Sequence, residues 1–369
     1  MQKHFGRKRI LFFMVLVLFL VFIIEKSGAQ GVMRNSEWIR PSTANDPAVW
    51  GIKNGIVFGL WPFNIETGAK GGGPRGLIRV GYEFKGNIDH INFIAIEPVV
   101  NGKIEFSEIS PSRVDNKWGK FMWASDSANA GPYYPSAISR GIISHPDSLH
   151  LGVEQLTVYV FMERFFNGAH PYLKIAIRND RPEEICFEIF NEKNSATMDR
   201  CALTATMGNY SRLRLLSLKN RTIDSRELFK NFNGIDFIEK EEYPAKQLLQ
   251  DKNGDFIAIA STNESFSELS SWPQNEKYYS RWNWRYRPFF KVTQYWRKEK
   301  EQADTSLHLR VNGRAKYWSG GSLNKNNYID IPGGPAFENF ELREKYYPGQ
   351  KFYFGITRKS PHDLVRGFP

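Results

Sequence analysis

The chain has 369 residues, 41% of them hydrophobic and 24% charged, with a mean hydropathy of −0.46; this excludes a mini-protein, a disordered chain and a multi-pass membrane protein. Aromatic residues reach 15%, alongside 30 Gly and 19 Pro, which points to a turn-rich, strand-rich fold with aromatic surfaces. The formal net charge is +11, but the Lys/Arg runs of a nucleic-acid binder are missing, so nucleic acid is not an expected partner.

Lys3, Arg7, Lys8 and Arg9 precede fifteen unbroken apolar residues, Ile10 to Ile24, and Ser27 and Ala29 put small residues where a signal peptidase reads them. This pattern is a secretory signal peptide spanning residues 1–29. An uncleaved anchor is the rival, yet fifteen apolar residues fall short of the roughly 20 that span a bilayer. Cleavage before Gln30 leaves 45 cations against 38 anions, a net charge of +7. The expectation is an exported protein, periplasmic or extracellular, without stable membrane insertion after cleavage. An acidic polysaccharide or oligosaccharide is its expected partner.

Gly68 to Gly76 is glycine-rich and brings Lys70 and Arg75, with Arg79 beyond. Its amides can cradle an anion, although no Gly-Lys-Ser/Thr follows and Leu77 to Tyr82 reads as a strand, so it is no nucleotide loop. A plain loop between strands fits the same residues.

Asn101-Gly102 predicts a two-residue hairpin turn. Val100 then faces Lys103, Glu97 faces Phe106 and Ala95 faces Glu108, so Glu97 and Glu108 share one face as diagonal neighbours about 7–8 Å apart. Two such acids, pushed to different pKa values, can act as proton donor and as nucleophile or base on a glycosidic bond. Pro98 argues against a central ladder there, and a Glu pair on a solvated face fits equally.

Leu156, Val158, Val160 and Met162 alternate on one strand face, and Leu173, Ile175 and Ile177 do so on another. His145, His150 and His170 are the turn-adjacent bases of this region. Cys186 and Cys201 flank a predicted hairpin of Glu184 to Phe190 and Arg200 to Met207. A symmetric turn at Lys193 and Asn194 would set the cysteines opposite each other, as a disulfide needs; two free buried thiols in a different register is the other reading.

Tyr210, Arg212 and Arg214 form a cationic strand entry. In a β-eliminating lyase a Tyr or His removes the proton beside a uronate carboxylate while Arg neutralises that carboxylate. Tyr210 or His170 with Arg212 and Arg214 can take those roles.

Asp224 to Asn231 is the one segment that reads well as helix, with Asp224 and Glu227 spaced as a capping box. Asp251-Lys-Asn253-Gly-Asp255 resembles the start of a calcium loop, but Phe256 and Thr262 stand where Gly and Glu are required; a hairpin turn is expected, and calcium is unsupported. No cofactor and no metal ligand set is implied. Ser261 to Lys277 is polar enough for a long loop or a weak boundary, and residues 30–369 read as a single large domain.

Arg281 to Arg287 alternates Trp282, Trp284 and Tyr286 against Arg281, Asn283, Arg285 and Arg287. Flat rings accept the C–H faces of sugars, and Arg forks bind carboxylate or sulfate. A buried aromatic face with a solvated Arg face is the plain alternative. Further strands are predicted at Leu307 to Val311 and Lys351 to Thr357, with Asn312-Gly313 and Pro348-Gly349 as turns. Glu338 and Glu341, three apart, cannot share a strand face, though one can still enter a site from a loop. No Gly-x-Ser-x-Gly elbow occurs, which disfavours an ordinary serine hydrolase.

Together these features predict an all-β chain, a large antiparallel β-sandwich of two packed sheets with little helix. The expected function is a secreted carbohydrate-active enzyme that degrades an acidic polysaccharide, as a polysaccharide lyase or a glycoside hydrolase. The alternative is a non-catalytic glycan-binding or surface-assembly protein. Candidate catalytic residues are Tyr210, His170, Glu97 and Glu108; candidate substrate-binding residues are Arg75, Arg79, Arg212, Arg214, Arg281, Trp282, Trp284 and Arg285.

Overall fold

The computed structural model describes residues 37–43, 46–60, 75–131, 138–146, 152–208, 211–262, 278–279, 284–286, 292–318 and 328–367. Residues 1–29, the expected signal peptide, and the glycine-rich run 68–74 lie outside them. Two large sheets dominate. The first runs through neighbouring strands Trp38–Ile39, Val49–Ile52, Ile56–Leu60, Ile78–Phe84, Asn87–Val100, Arg200–Thr206, Ala336–Arg343, His308–Arg314 and Glu241–Pro244. The second runs through Thr222–Asp224, Leu213–Ser217, Phe256–Thr262, Thr293–Lys298, Gln350–Thr357, Glu184–Asn191, Pro171–Arg178, Gln155–Met162 and Met122–Ser125. These pairings are antiparallel. Trp284–Tyr286, beside the first sheet, departs from that rule by running parallel to the long strand, with Trp284 next to Ile88 and Tyr286 next to His90.

The sandwich forms because alternation gives each sheet one apolar face. Ile94, Ile96, Leu203, Phe340 and Leu342 of the first sheet meet Val158, Ile175, Phe187, Trp296 and Phe354 of the second in one buried cluster. Each such Ile, Leu or Phe contributes about 1.5–3 kcal/mol by leaving water. Trp296 also donates its indole N–H to the Phe340 carbonyl at 2.9 Å, a polar tie from one sheet to the other inside the apolar layer. Trp38 makes a second tie, its indole donating to Glu154 at 2.8 Å.

Turn chemistry sets much of the register. Asn101 and Gly102 both take positive φ, 50° and 73°, as the mirror-image hairpin turn requires, and Val100 and Val99 pair with Lys103 and Ile104 as expected. Asp251 to Asp255 is a tight turn leading from Leu249–Gln250 into Phe256–Thr262, with the Asp251 carboxylate accepting the amides of Asn253 and Asp255 at 2.9 Å each. The helix expected over 224–231 is shorter, Ser225–Leu228, and a second one, Pro361–Gly367, follows the last strand; the cap of the first, Asp224, accepts from Arg226 N and also clasps the Arg226 guanidinium, so this cap takes the second helical amide and not the third.

Three expectations are corrected. Asn312-Gly313 is not a turn: it lies inside His308–Arg314, where the register with Ala336–Arg343 shifts between Val311 and Gly313, and the extra residue is absorbed as a bulge. The hairpin between Cys186 and Cys201 does not form, because their strands enter different sheets; Cys186 faces Ala176 and Tyr353 while Cys201 faces Pro98, and of the two readings the free thiols hold. The predicted hairpin is therefore an arch that crosses the sandwich. Glu338 and Glu341 both sit within the strand Ala336–Arg343, so neither reaches a site from a loop.

Candidate functional site

In the long strand Asn87–Val100, Ile94 and Ile96 face the core, while Phe93 and Ala95 form a separate cluster with Leu77. Glu97, two beyond Ala95, therefore lies on the face turned away from the core. The same alternation puts Thr204, Arg310 and Glu341 on that outer face, since Leu203, Leu309 and Phe340 face inward. Arg343, two beyond Glu341, follows. All five are nonetheless buried.

They form one network. Thr204 donates to Glu97 Oε1 at 2.9 Å, and Arg310 Nη2 reaches Glu97 Oε1 and Oε2 at 3.1 and 2.9 Å. Arg343 Nη2 donates to Glu97 Oε2, and Arg310 Nε donates to Glu341 Oε1. Arg343 Nε donates to Glu341 Oε1 at 2.7 Å. Two carboxylates and two guanidinium groups balance in charge, as burial demands. Burial and the charge of Glu341 push the Glu97 carboxyl up, against the opposing pull of Arg343, Arg310 and the Thr204 bond. Glu341 Oε2 and Asn339 Oδ1 are buried without a hydrogen-bond partner among the described residues.

Glu108 approaches from the connection that follows Lys103–Ile104. Its turn is pinned on both sides. Ser107 N donates to the Ile96 carbonyl at 3.0 Å, and Ser107 Oγ accepts from Ile96 N at 2.9 Å and donates to the Gly76 carbonyl. Ser110 N closes the turn onto the Phe106 carbonyl at 2.8 Å. Glu108 Oε2 is buried with no hydrogen-bond partner among the described residues. Burial, with a smaller contribution from the charge of Glu97, raises its carboxyl to about 8. A carboxyl in that condition is neutral at pH 7 and can donate a proton.

The other expected residues fare differently. Tyr210, Arg281, Trp282 and His150 lie outside the described residues. Trp284 and Arg285 belong to the strand Trp284–Tyr286 beside Ile88 and Asp89. His170 has both ring nitrogens engaged, Nδ1 with Asn194 Oδ1 at 2.7 Å and Nε2 with the Met162 carbonyl at 3.0 Å, so it clamps a loop. Arg214 is buried and donates to the carbonyls of Pro332, Gly333, Gly334 and Pro335; it holds the loop in which Gly333 and Gly334 turn with positive φ. Arg212, also buried, has a left-handed φ of 49° just before the strand Leu213–Ser217. Arg75 is committed to Asp115 at 2.9 and 3.0 Å and to the Trp118 carbonyl, with its guanidinium over Phe121. Arg79 lies over the Phe93 ring at 5.6 Å, on the outer face of the first sheet. His145 contacts the Val153 carbonyl at 3.3 Å. Among the described residues no group of three His, Cys, Asp or Glu is placed to hold a metal ion.

The structure thus brings Glu97 and Glu108 into electrostatic reach of one another and adds Thr204, Arg310, Glu341 and Arg343, which sequence reasoning did not assign to a site. Compared with protein-family models, curated proteins and solved structures, the chain finds no match.

Proposed function

We propose that the chain is an exported carbohydrate-active enzyme that cleaves an acidic polysaccharide by acid/base hydrolysis. The observation that supports this reading is the asymmetry of the two acids: burial holds Glu108 protonated up to about 8 with no ion pair among the described residues, while Glu97 accepts from Thr204, Arg310 and Arg343. Glu108 gives its proton to the glycosidic oxygen as the anomeric C–O bond breaks, and the bonding pair leaves with the alcohol. Glu97, carboxylate among donors, attacks the anomeric carbon or takes the proton of the attacking water. The signal-like N-terminus supports export, and the excess of cations supports an anionic substrate.

The test incubates the protein from Gln30 onward with uronate-containing, sulfated and neutral polysaccharides, following new reducing ends and the ultraviolet absorbance of an unsaturated uronate. Reducing ends without absorbance, lost in Glu108→Gln, are the expected result. Reducing ends with absorbance would replace hydrolysis by elimination. Retardation on a glycan without any cleavage would overturn the enzyme reading in favour of a binding protein.

A further inference from the structure

The connection that holds Glu108 continues into a second feature that hydrolysis does not use. Trp118 is 68% exposed, and Val114, Arg113 and Lys117 beside it are exposed as well. An exposed tip of this kind is ordinarily mobile, but this one is fastened from beneath. Glu163, fully buried, accepts from Ser112 Oγ, Arg113 N and Phe121 N at 2.9, 2.9 and 2.8 Å. Arg75 grips Asp115 with a two-bonded fork and reaches the Trp118 carbonyl. Lys120 donates to the Pro111 carbonyl at 2.7 Å, and Pro111 bridges Trp118 as an isolated β pair. Three buried charged side chains thus fix the backbone of a loop whose tip shows water a large flat ring. Arg113 spreads the device further, donating to the Arg164 and Phe165 carbonyls and lying over the Phe166 ring at 4.5 Å; Phe166 is itself 53% exposed.

From this geometry we infer that the Pro111–Trp118 loop is a preformed recognition platform for an anionic glycan. A rigid aromatic face accepts the C–H side of a pyranose with little entropy left to lose, and the exposed Lys117 and Arg113 supply cations for a carboxylate or sulfate on the same or the next sugar. Asp115 does not cancel them, because Arg75 already occupies it. The inference rests on the proposed glycan substrate and adds where the polymer is held: Gly119 N donates to the Ser110 carbonyl and Lys120 N to the Ser107 carbonyl, at 3.2 and 2.7 Å, so platform and Glu108 turn are parts of one rigid unit.

Affinity electrophoresis of the intact chain from Gln30, in gels containing polygalacturonate, dextran sulfate or neutral dextran, tests this. The expected result is retardation by one of the anionic polymers and not by dextran. Trp118→Ala should bind roughly tenfold more weakly, with Trp118→Phe between the two. Because the ring faces water, the melting temperature should not move, and the Phe variant guards the comparison if it does. Wild-type retardation in Trp118→Ala overturns the platform, as does Trp118-dependent binding to dextran or to anionic lipid vesicles in place of an anionic glycan. The two proposals separate cleanly. Hydrolysis that needs Glu108 but binding indifferent to Trp118 removes the platform alone, whereas Trp118-dependent retardation without hydrolysis removes the hydrolase alone.

Discussion

Arg310 Nη2 lies 3.1 and 2.9 Å from the two carboxylate oxygens of Glu97, a residue 213 positions away in the chain. The strands Arg200–Thr206 and Ala336–Arg343 lie between theirs in the sheet, so the two side chains extend toward each other along the outer face. Removing the Glu97 carboxylate leaves two buried guanidinium groups sharing the single carboxylate of Glu341, one positive charge uncompensated. Glu97→Ala is therefore expected to lower stability by about 3–5 kcal/mol, measured as a shift in the urea midpoint at unchanged m-value. Glu97→Gln, which keeps an oxygen for Thr204, should lose less. A loss for Glu97→Ala no larger than the roughly 1 kcal/mol of a surface pair would show that Arg310 and Arg343 are held well enough without it.

Glu108 should give the protein an unusual pH dependence. Its folded carboxyl keeps a proton up to about 8, whereas the ordinary value is 4.5, so between those values the folded state holds more protons than the unfolded one. Stability from this group is complete below about pH 4.5 and is lost as pH rises through about 8. Glu108→Gln should flatten that alkaline decline in denaturation midpoints taken from pH 5 to 9. For the proposed reaction the same titration removes the proton donor, so kcat should fall on the alkaline side near 8. An alkaline limb that persists in a slow Glu108→Gln enzyme would assign it to another group.

A separate buried pair ties the sheets together. Lys298, on a strand of the second sheet, donates to Glu344 at 2.5 Å and to the Tyr347 hydroxyl at 2.9 Å, and Glu344 directly follows a strand of the first. Burial pushes the Lys298 ammonium down and the Glu344 carboxyl up. Lys298→Met alone leaves the carboxylate without its cation and should cost about 3–5 kcal/mol, while Lys298→Met with Glu344→Leu should recover most of that loss. A double variant as unstable as the sum of the singles would mean that the pair does not couple.

How far the sequence was readable follows from the range of each contact. Val158, Ile175 and Phe354 advertise their strands because alternation is local, and Asn101-Gly102 fixes Val100 against Lys103 because a two-residue turn leaves one register. Asn312-Gly313 carries the same dipeptide but runs on in mid-strand, opposite the bulge that Glu338 and Asn339 make in the partner strand, since strand partners on both sides, and not the dipeptide, decide whether the chain reverses. The segment between Cys186 and Cys201 looks like a hairpin for the same reason it is an arch: two strand-like runs with a polar connection say nothing about which sheet each joins. Glu97 was legible as a site candidate through its turn. Arg310, Glu341 and Arg343 were not, because alternation tells the face of a strand and never its distant neighbours.

The cysteines offer a simple check on that arch. Burial raises the Cys186 thiol to about 12 and that of Cys201 higher still, so neither is a ready thiolate at neutral pH. Titration with a thiol reagent should find both groups after unfolding without reductant and neither in the native protein. Electrophoretic mobility should be the same with and without reductant. Loss of both thiols on unfolding without reductant would mean a disulfide and a different path for residues 192–199.

Gly76 is where a single methyl group should disturb the site most. Its φ is +74°, and an added Cβ would lie 1.9 Å from the Ser107 carbonyl oxygen and 3.0 Å from Glu108 N. Both the left-handed backbone and the close approach exclude a side chain. Gly76→Ala must therefore push Ser107 away from the long strand or twist its own backbone, at a cost of about 1–3 kcal/mol. Displacing Ser107 moves the turn that buries Glu108, so the carboxyl should regain water and its pKa should fall back toward the ordinary range. The alkaline decline expected near 8 would then shift to lower pH in Gly76→Ala, in stability and in kcat alike. A variant that loses stability but keeps the wild-type pH profile would show that the turn relaxes without releasing Glu108, and that something other than its tether to Gly76 keeps that carboxyl dry.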